Sequence, residues 1–436
     1  MGMRCVRCNT DNNLRDRTAN QGRCKNCHHQ FAFEPTSVTD YRFRFTDLFF
    51  AKAIADISAN NTLFFTSKQL FYLLDTRLSR KIQQDAIEIK LLGIFAIFSG
   101  FLISLRRRET LPFRVALILG VIIFLYGCFV ASNSIFIRQP IRRGNARSLQ
   151  VIGGIFLVLG IFYSLTYYSF VAFVISTIVG VWSFYLGYRQ LARQTKIPQA
   201  FFIPQNQFQR WLSRWQLINN PIAQMLPSPR QEIAPTAVSP DISAYSFDQV
   251  VICDNAAIAQ LLIANNFHFE NNCAVLSITG YPQSIFDTVM QMLSRNPNLK
   301  VYVLHDASPQ GVSLVHQLRT NPNWFQNENV MIYDLGLQPR QIFKLRRAFV
   351  QGSQESAQQA KQLPPEVRQR LSRDELAWLD AGNFVELESF SPQRIIQVLN
   401  RGIAQSQDVA ATDSLLLIDE GRYGGVGYVY ATDSFG

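Results

Sequence analysis

The sequence is poorest in charge where its apolar residues are most concentrated. Four runs, 91–105, 115–137, 149–166 and 168–188, carry no Asp, Glu, Lys, Arg or His in their middles. Transport of protons or ions across a bilayer normally leaves an ionisable side chain at that depth, so its absence speaks against a channel or carrier. A second scarcity is positive charge toward the C-terminus. The chain carries a net +11, yet residues 247–436 hold 14 basic against 19 acidic side chains. That segment has no overall nucleic-acid footprint. Cysteine is the third: there are seven, and no secretory signal precedes the first, because the N-terminus is polar and basic. The expectation is a reduced, cytosolic N-terminus with thiolates free for metal rather than disulfides.

The last three apolar runs reach about 18–23 residues, the length that crosses a hydrocarbon core of roughly 30 Å. The first is shorter, and Lys90 can extend it by snorkelling. Each run holds two glycines seven apart: Gly93/Gly100, Gly120/Gly127, Gly153/Gly160 and Gly180/Gly187. The second pair of runs repeats the first at an offset of 60, with Ser104-Leu105 recurring as Ser164-Leu165 and Phe124 as Phe184. A duplicated helical hairpin is expected over 89–188, its glycine-lined faces admitting a neighbouring backbone in the same chain or a second copy. Basic residues crowd one side: Arg77, Arg80, Lys81 and Lys90, then Arg138, Arg142, Arg143 and Arg147, then Arg189, Arg193 and Lys196. Positive charge faces the cytosol. The chain therefore reads as a multi-pass plasma (inner) membrane protein, embedded in a lipid bilayer with both termini cytosolic, and only the Arg106–Arg108 triplet runs against this.

Around the membrane block lie soluble segments. Residues 1–45 contain Cys5-x-x-Cys8 and Cys24-x-x-Cys27 with 15 residues between them. Two such knuckles offer four thiolates to one tetrahedral Zn²⁺, and a unit this small needs its metal to fold. A zinc ribbon is expected. Residues 46–88 read as a helical linker, and 189–246 as a Pro/Gln-rich linker. Within the latter, Phe208, Trp211, Leu212, Trp215 and Ile218 follow the spacing of an amphipathic helix, expected to lie in the headgroup layer, with packing on the neighbouring domain as the alternative. Residues 247–436 alternate short apolar strands with helices, which implies an α/β fold with a mostly parallel sheet. Asp254 and Asp306 each follow such a strand, where ligands of parallel sheets gather. The plainer role for each is to cap the helix that comes next.

The turn His305-Asp306-Ala307-Ser308-Pro309-Gln310-Gly311, with Asp334-Leu335-Gly336-Leu337-Gln338-Pro339 and Val385-Glu386-Leu387-Glu388, resembles the Toprim domain of topoisomerase VI A subunits over roughly 247–402. The resemblance implies a Mg²⁺ site built from a glutamate after the first strand and the two aspartates of D-x-D. Here Asp254 stands for the glutamate, Asp306 is matched, and Ser308 replaces the second aspartate. The stretch Phe65–Tyr72 faintly resembles the family's winged-helix segment, in which Tyr72 would be a nucleophile toward DNA; otherwise it is an aromatic in a helix pair. Arg340, Lys344, Arg346 and Arg347 form a basic cluster suited to a phosphate backbone or to solvent. Two functions are compatible with these features. One is a membrane-anchored binding and recruitment protein for nucleic acid or nucleotide. The other is a membrane-tethered, Mg²⁺-dependent nicking enzyme using Asp306 and Asp254.

Overall fold

The computed structural model describes residues 2–35, 43–80, 125–130, 139–168, 170–193, 198–229, 248–283, 286–293, 299–325, 330–345 and 348–407. They fall into two compact units, one formed by Met1–Leu78 with Phe201–Gly436 and the other by Ser79–Ala200. The expected apolar run 91–105, most of 115–137, the Arg106–Arg108 triplet, Arg346 and Arg347, and the strands anticipated in the tail after 407 lie outside the described residues.

The first unit begins with β1 (Met3–Arg4) paired antiparallel to β2 (Asp11–Asn12) and the short helix Leu14–Ala19. A carboxylate ties this piece to the next helix. Asp47, at the start of the Asp47–Ile57 helix, accepts the backbone N–H of Ala32 at 2.9 Å and of Phe33 at 2.7 Å. A third tie is aromatic: the Phe33 ring lies 4.6 Å from Phe45, 5.1 Å from Phe50 and 6.1 Å from Trp215.

Trp215 belongs to the Gln205–Asn219 helix, on the far side of the membrane block in sequence. Its apolar face, expected in a headgroup layer, is covered by protein instead: Phe208, Trp211, Leu212 and Trp215 are buried among Phe45, Phe50, Leu70 and Leu74. The stripe was legible, but a stripe does not say what covers it. The strands β3 (Phe65–Thr66) and β4 (Met225–Leu226) pair in parallel and close the same core. Residues 46–78 and 201–226, parts of the segments expected as linkers, thus supply the two halves of one packed core.

The rest of the unit is α/β. β5 (Gln249–Cys253), β6 (Cys273–Ser277), β7 (Lys300–Leu304) and β8 (Met331–Asp334) form one parallel sheet in the order β6-β5-β7-β8. Alternate residues face opposite layers. Val251, Cys253, Val275, Tyr302 and Leu304 pack with Ile258, Leu261, Leu262 and Leu379. Val250, Ile252, Leu276, Val301 and Val303 pack on the other face with Val289, Leu293, Leu314 and Leu318. Both faces are covered, as a parallel sheet requires. β9 (Gln351–Gly352) and β10 (Asn383–Phe384) form a separate antiparallel pair flanking the Gln354–Lys361 helix. Because β5 has β6 on one side and β7 on the other, the chain reverses its winding direction between β5 and β7. A crevice opens at the carboxyl ends of strands at such a point.

In the second unit, helices Gln139–Tyr167 and Phe170–Arg193 form a hairpin. Its glycines meet the partner helix. A Cβ on Gly153 would stand 2.7 Å from the Ser183 Cβ, one on Gly180 2.6 Å from the Leu157 Cβ, and one on Gly187 2.8 Å from the Ala146 carbonyl. These faces are spent inside the hairpin, so they are not the free oligomerisation surfaces envisaged from sequence. The outer faces carry Val151, Val158, Phe162, Leu165, Val181 and Trp182 exposed. Among the described residues, Gly144–Thr166 is the one stretch long and apolar enough to cross a membrane.

Candidate functional site

A cleft of about 950 Å³ opens at the carboxyl ends of β5, β6 and β7, lined by Asp254, Asn255, Thr279, Asp306, Ser308 and Gln310 among others. Two helices start at its wall. Asn255 caps Ala256–Ala264 by accepting the Ala257 N–H at 2.9 Å, and Ser308 caps Pro309–Thr320 by accepting the Gly311 N–H at 3.0 Å. The caps are these neighbours, so the plainer role considered for Asp254 and Asp306 falls away. The side chain expected to be a third metal ligand is the one that terminates the helix.

The two acids are tied to each other and to a distant loop. Asp254 Oδ2 accepts the Asp306 N–H at 2.7 Å, while its Oδ1 is buried and accepts nothing from the described residues. Asp306 Oδ1 accepts the Leu387 N–H at 2.6 Å. The Leu387 turn is brought in by a bridge between Ala307 and Val385, which places Glu386 and Glu388 beside the acids. Sequence alone gave those glutamates no position. Burial and the neighbouring carboxylates push Asp254 up to about 6 and Asp306 well above the ordinary carboxylate range.

Tyr72 arrives at the same place. It is 2% exposed and its hydroxyl donates to Glu386 Oε2 at 2.5 Å while accepting from Gln351 Nε2 at 2.6 Å. Burial, then the Glu386 charge, raises its pKa. A phenol held this way keeps its proton and is a poor nucleophile. One turn earlier, Lys68 Nζ lies 2.7 Å from Glu386 Oε1 and 3.6 Å from Glu388 Oε2, and Thr66 Oγ1 donates to Glu388 Oε1 at 2.8 Å. Lys68 is the residue sequence reading passed over, although it lies inside the stretch that contains Tyr72.

His305, also passed over, is fully buried beneath the cleft. Its Nδ1 lies 2.8 Å from the Asp306 carbonyl and its Nε2 3.0 Å from Asp334 Oδ1. Both of these neighbours accept, which favours the charged ring with a proton on each nitrogen, while the Gln338 amide nitrogen also lies 3.4 Å from Nε2. Burial opposes that charge, but Asp334 outweighs it and raises the pKa to about 9. Gly336 and Gly311 make room: a Cβ on Gly336 would collide with the imidazole, and one on Gly311 with the Asp306 carbonyl. The signal was available, since a His directly before the matched Asp must bury with it.

Arg340 and Lys344 are exposed on the Pro339–Lys344 helix and do not line the cleft. None of the described residues lining the cleft is basic.

At the N-terminus, Cys5, Cys8, Cys24 and Cys27 bring their four sulfurs within 4.8 Å of one another. Cys5 and Cys27 are 3.6 Å apart and Cys8 and Cys24 3.5 Å. Tetrahedral ligation at about 2.3 Å per bond sets sulfurs about 3.8 Å apart, so the set fits such an ion. Both knuckles turn the same way: the Asn9 N–H returns to the Cys5 carbonyl and the His28 N–H to that of Cys24, each residue at positive φ. Among the described residues no other trio of His, Cys, Asp or Glu gathers its ligand atoms this closely.

The class is thus an α/β domain with paired acids at the reversal of a parallel sheet. Residues 249–401 match the Toprim domain of Spo11 and of the topoisomerase 6 A subunit. The likeness is confined to that segment, which is where the sheet and the cleft lie. Searches of curated proteins and of solved structures return no match. The Mg²⁺ which that family implies does not fit the residues present. Mg²⁺ demands near-octahedral oxygen ligation, but Ser308 is engaged as a cap and both Glu386 oxygens are held by donors.

Proposed function

We propose that the chain is a membrane-anchored binding and recruitment protein whose Toprim-like domain takes a nucleotide, or the end of a nucleic-acid strand, without cutting it. The observation that carries this reading is the fate of the two residues cleavage would need. Ser308, at the position of a metal-binding aspartate, caps a helix, and Tyr72 is buried with its hydroxyl donating to Glu386. The cleft retains what binding needs. The starts of the Ala256–Ala264 and Pro309–Thr320 helices favour a phosphate, and Asp254 lines the cleft beside them. The absence of Lys and Arg among the described residues of the lining supports a small ligand over a duplex.

The test uses the full chain in detergent. Fluorescent ATP and GTP analogues and a labelled single-stranded oligonucleotide are titrated beside the Asp254→Asn variant, and supercoiled DNA is incubated with Mg²⁺ or Mn²⁺. Saturable nucleotide binding, weakened in the variant, with DNA left intact, is the expected result. Nicking abolished by Asp306→Ala would establish the other reading, the Mg²⁺-dependent nicking enzyme using Asp306 and Asp254.

The four-cysteine cluster is read as a structural zinc ribbon. Zinc content is expected to fall from about one equivalent to none in the Cys5→Ser/Cys8→Ser variant, with the unit losing its fold. The hairpin is read as part of a multi-pass plasma (inner) membrane anchor with cytosolic termini. Its outward Val158, Phe162, Val181 and Trp182 support contact with lipid, and resistance to carbonate extraction tests it.

A further inference from the structure

Four carboxylates converge at the cleft: Asp254, Asp306, Glu386 and Glu388; burial, then the charges of Asp254, Glu386 and Glu388, raise the pKa of Asp306. Such a cluster in a low-dielectric setting needs a counter-ion. One is provided by the chain itself, from a part remote in sequence. The helix over 67–80 is started by a reciprocal box in which the Thr66 N–H donates to Gln69 Oε1 at 3.0 Å and the Gln69 N–H to Thr66 Oγ1 at 3.2 Å. Gln69 Nε2 then donates to the Phe390 carbonyl at 3.0 Å, fixing this first turn against the Glu386–Glu388 loop. The second helical residue is Lys68. A cation there opposes the helix dipole, so helix formation does not account for its position. Its partners do: 2.7 Å to Glu386 and 3.6 Å to Glu388, while Tyr72, one turn on along the same face, holds the other Glu386 oxygen.

We propose that Lys68 is the resident cation of this site, its ammonium occupying the charge position that a divalent ion would otherwise take among Asp306, Glu386 and Glu388. The cleft is therefore metal-independent by construction. Lys68, Tyr72 and Thr66 all present donors to the glutamate oxygens, and a metal needs those oxygens as ligands. A divalent ion enters only if Lys68 leaves. The raised pKa of Lys68, where the pull of Glu386 and Glu388 outweighs burial, agrees with a permanent charge. This inference stands whether or not the cleft takes a nucleotide.

The test is Mn²⁺ binding, read by electron paramagnetic resonance on the full chain in detergent with the cysteine cluster first saturated with zinc. The wild type is expected to bind no more Mn²⁺ than Asp306→Asn. Lys68→Met is expected to gain one equivalent that disappears in Lys68→Met/Asp306→Asn, whereas Lys68→Arg behaves as the wild type. Wild-type protein that binds Mn²⁺ in an Asp306-dependent manner overturns the proposal, and this arm holds even if Lys68→Met does not fold. A Lys68→Met protein with an unchanged thermal transition and no added Mn²⁺ also overturns it.

Discussion

Asp254 carries a cost that its surroundings do not remove. One oxygen is answered by the Asp306 N–H, the other by none of the described residues, and burial beside Asp306 lifts its pKa to about 6. An unfolded aspartate titrates near 3.9. The native state therefore holds this proton more tightly, and stability falls as pH rises from about 4 through about 6. A difference of that size corresponds to about 3 kcal/mol above that window. Asp254→Asn keeps an acceptor for the Asp306 N–H and has no proton to lose. Its melting temperature is expected to exceed that of the wild type at pH 8 and to match it at pH 4. A variant no more stable at pH 8 would mean the carboxylate is already neutralised there. A costly group kept at the mouth of a cleft is what binding sites tend to show.

Strands end in ways their own residues do not settle. β7 and β8 are also joined by His305, just past the end of β7, and Asp334, the last residue of β8, the imidazole Nε2 3.0 Å from a carboxylate that also accepts the Gly336 N–H at 3.0 Å. Since His305 titrates near 9 when folded and near 6.5 when unfolded, this tie stabilises fully below about 6.5 and is lost as pH rises through about 9. Asp334→Asn is expected to lower the melting temperature at pH 7 and to change it little at pH 10; equal losses at both would assign the effect to packing alone. This is also the scale at which sequence reading succeeded and failed. The β5 and β7 strands and the Ala256–Ala264 helix were legible because short apolar runs with turn residues between them admit few alternatives. The acids at their ends were legible because strand ends are where parallel sheets keep ligands. Lys68, Glu386 and Glu388 were not, since their meaning lies in a contact across more than 300 residues that no local period encodes. Ser308 was read as a weakened ligand when it is a cap, because the Ser-Pro-Gln-Gly turn serves either role until the helix after it is seen.

At the scale of the whole chain, a helical hairpin interrupts the first unit in sequence. That unit holds its own cut ends together. Asp75 accepts the Ile203 N–H at 2.8 Å and the Phe71 ring lies 4.7 Å from Phe201, so the residues before and after the inserted segment are packed on each other. Insertions are tolerated where a domain's surface brings two chain points close. Among the described residues, none from 79–200 belongs to the core formed by Phe45, Phe50, Leu70, Phe208 and Trp215. Deleting 79–200 and joining Leu78 to Phe201 through a short Gly/Ser linker is expected to give a protein that stays in solution without detergent. It should keep one cooperative unfolding transition and retain the protection of the amides of β5 and β7 from hydrogen exchange. Loss of that protection would show that the sheet depends on the hairpin, and the two units would then be one folding unit. If protection persists, the first unit folds without the inserted segment, and the acids, the lysine among them and the four-cysteine cluster form a module that the hairpin does not build.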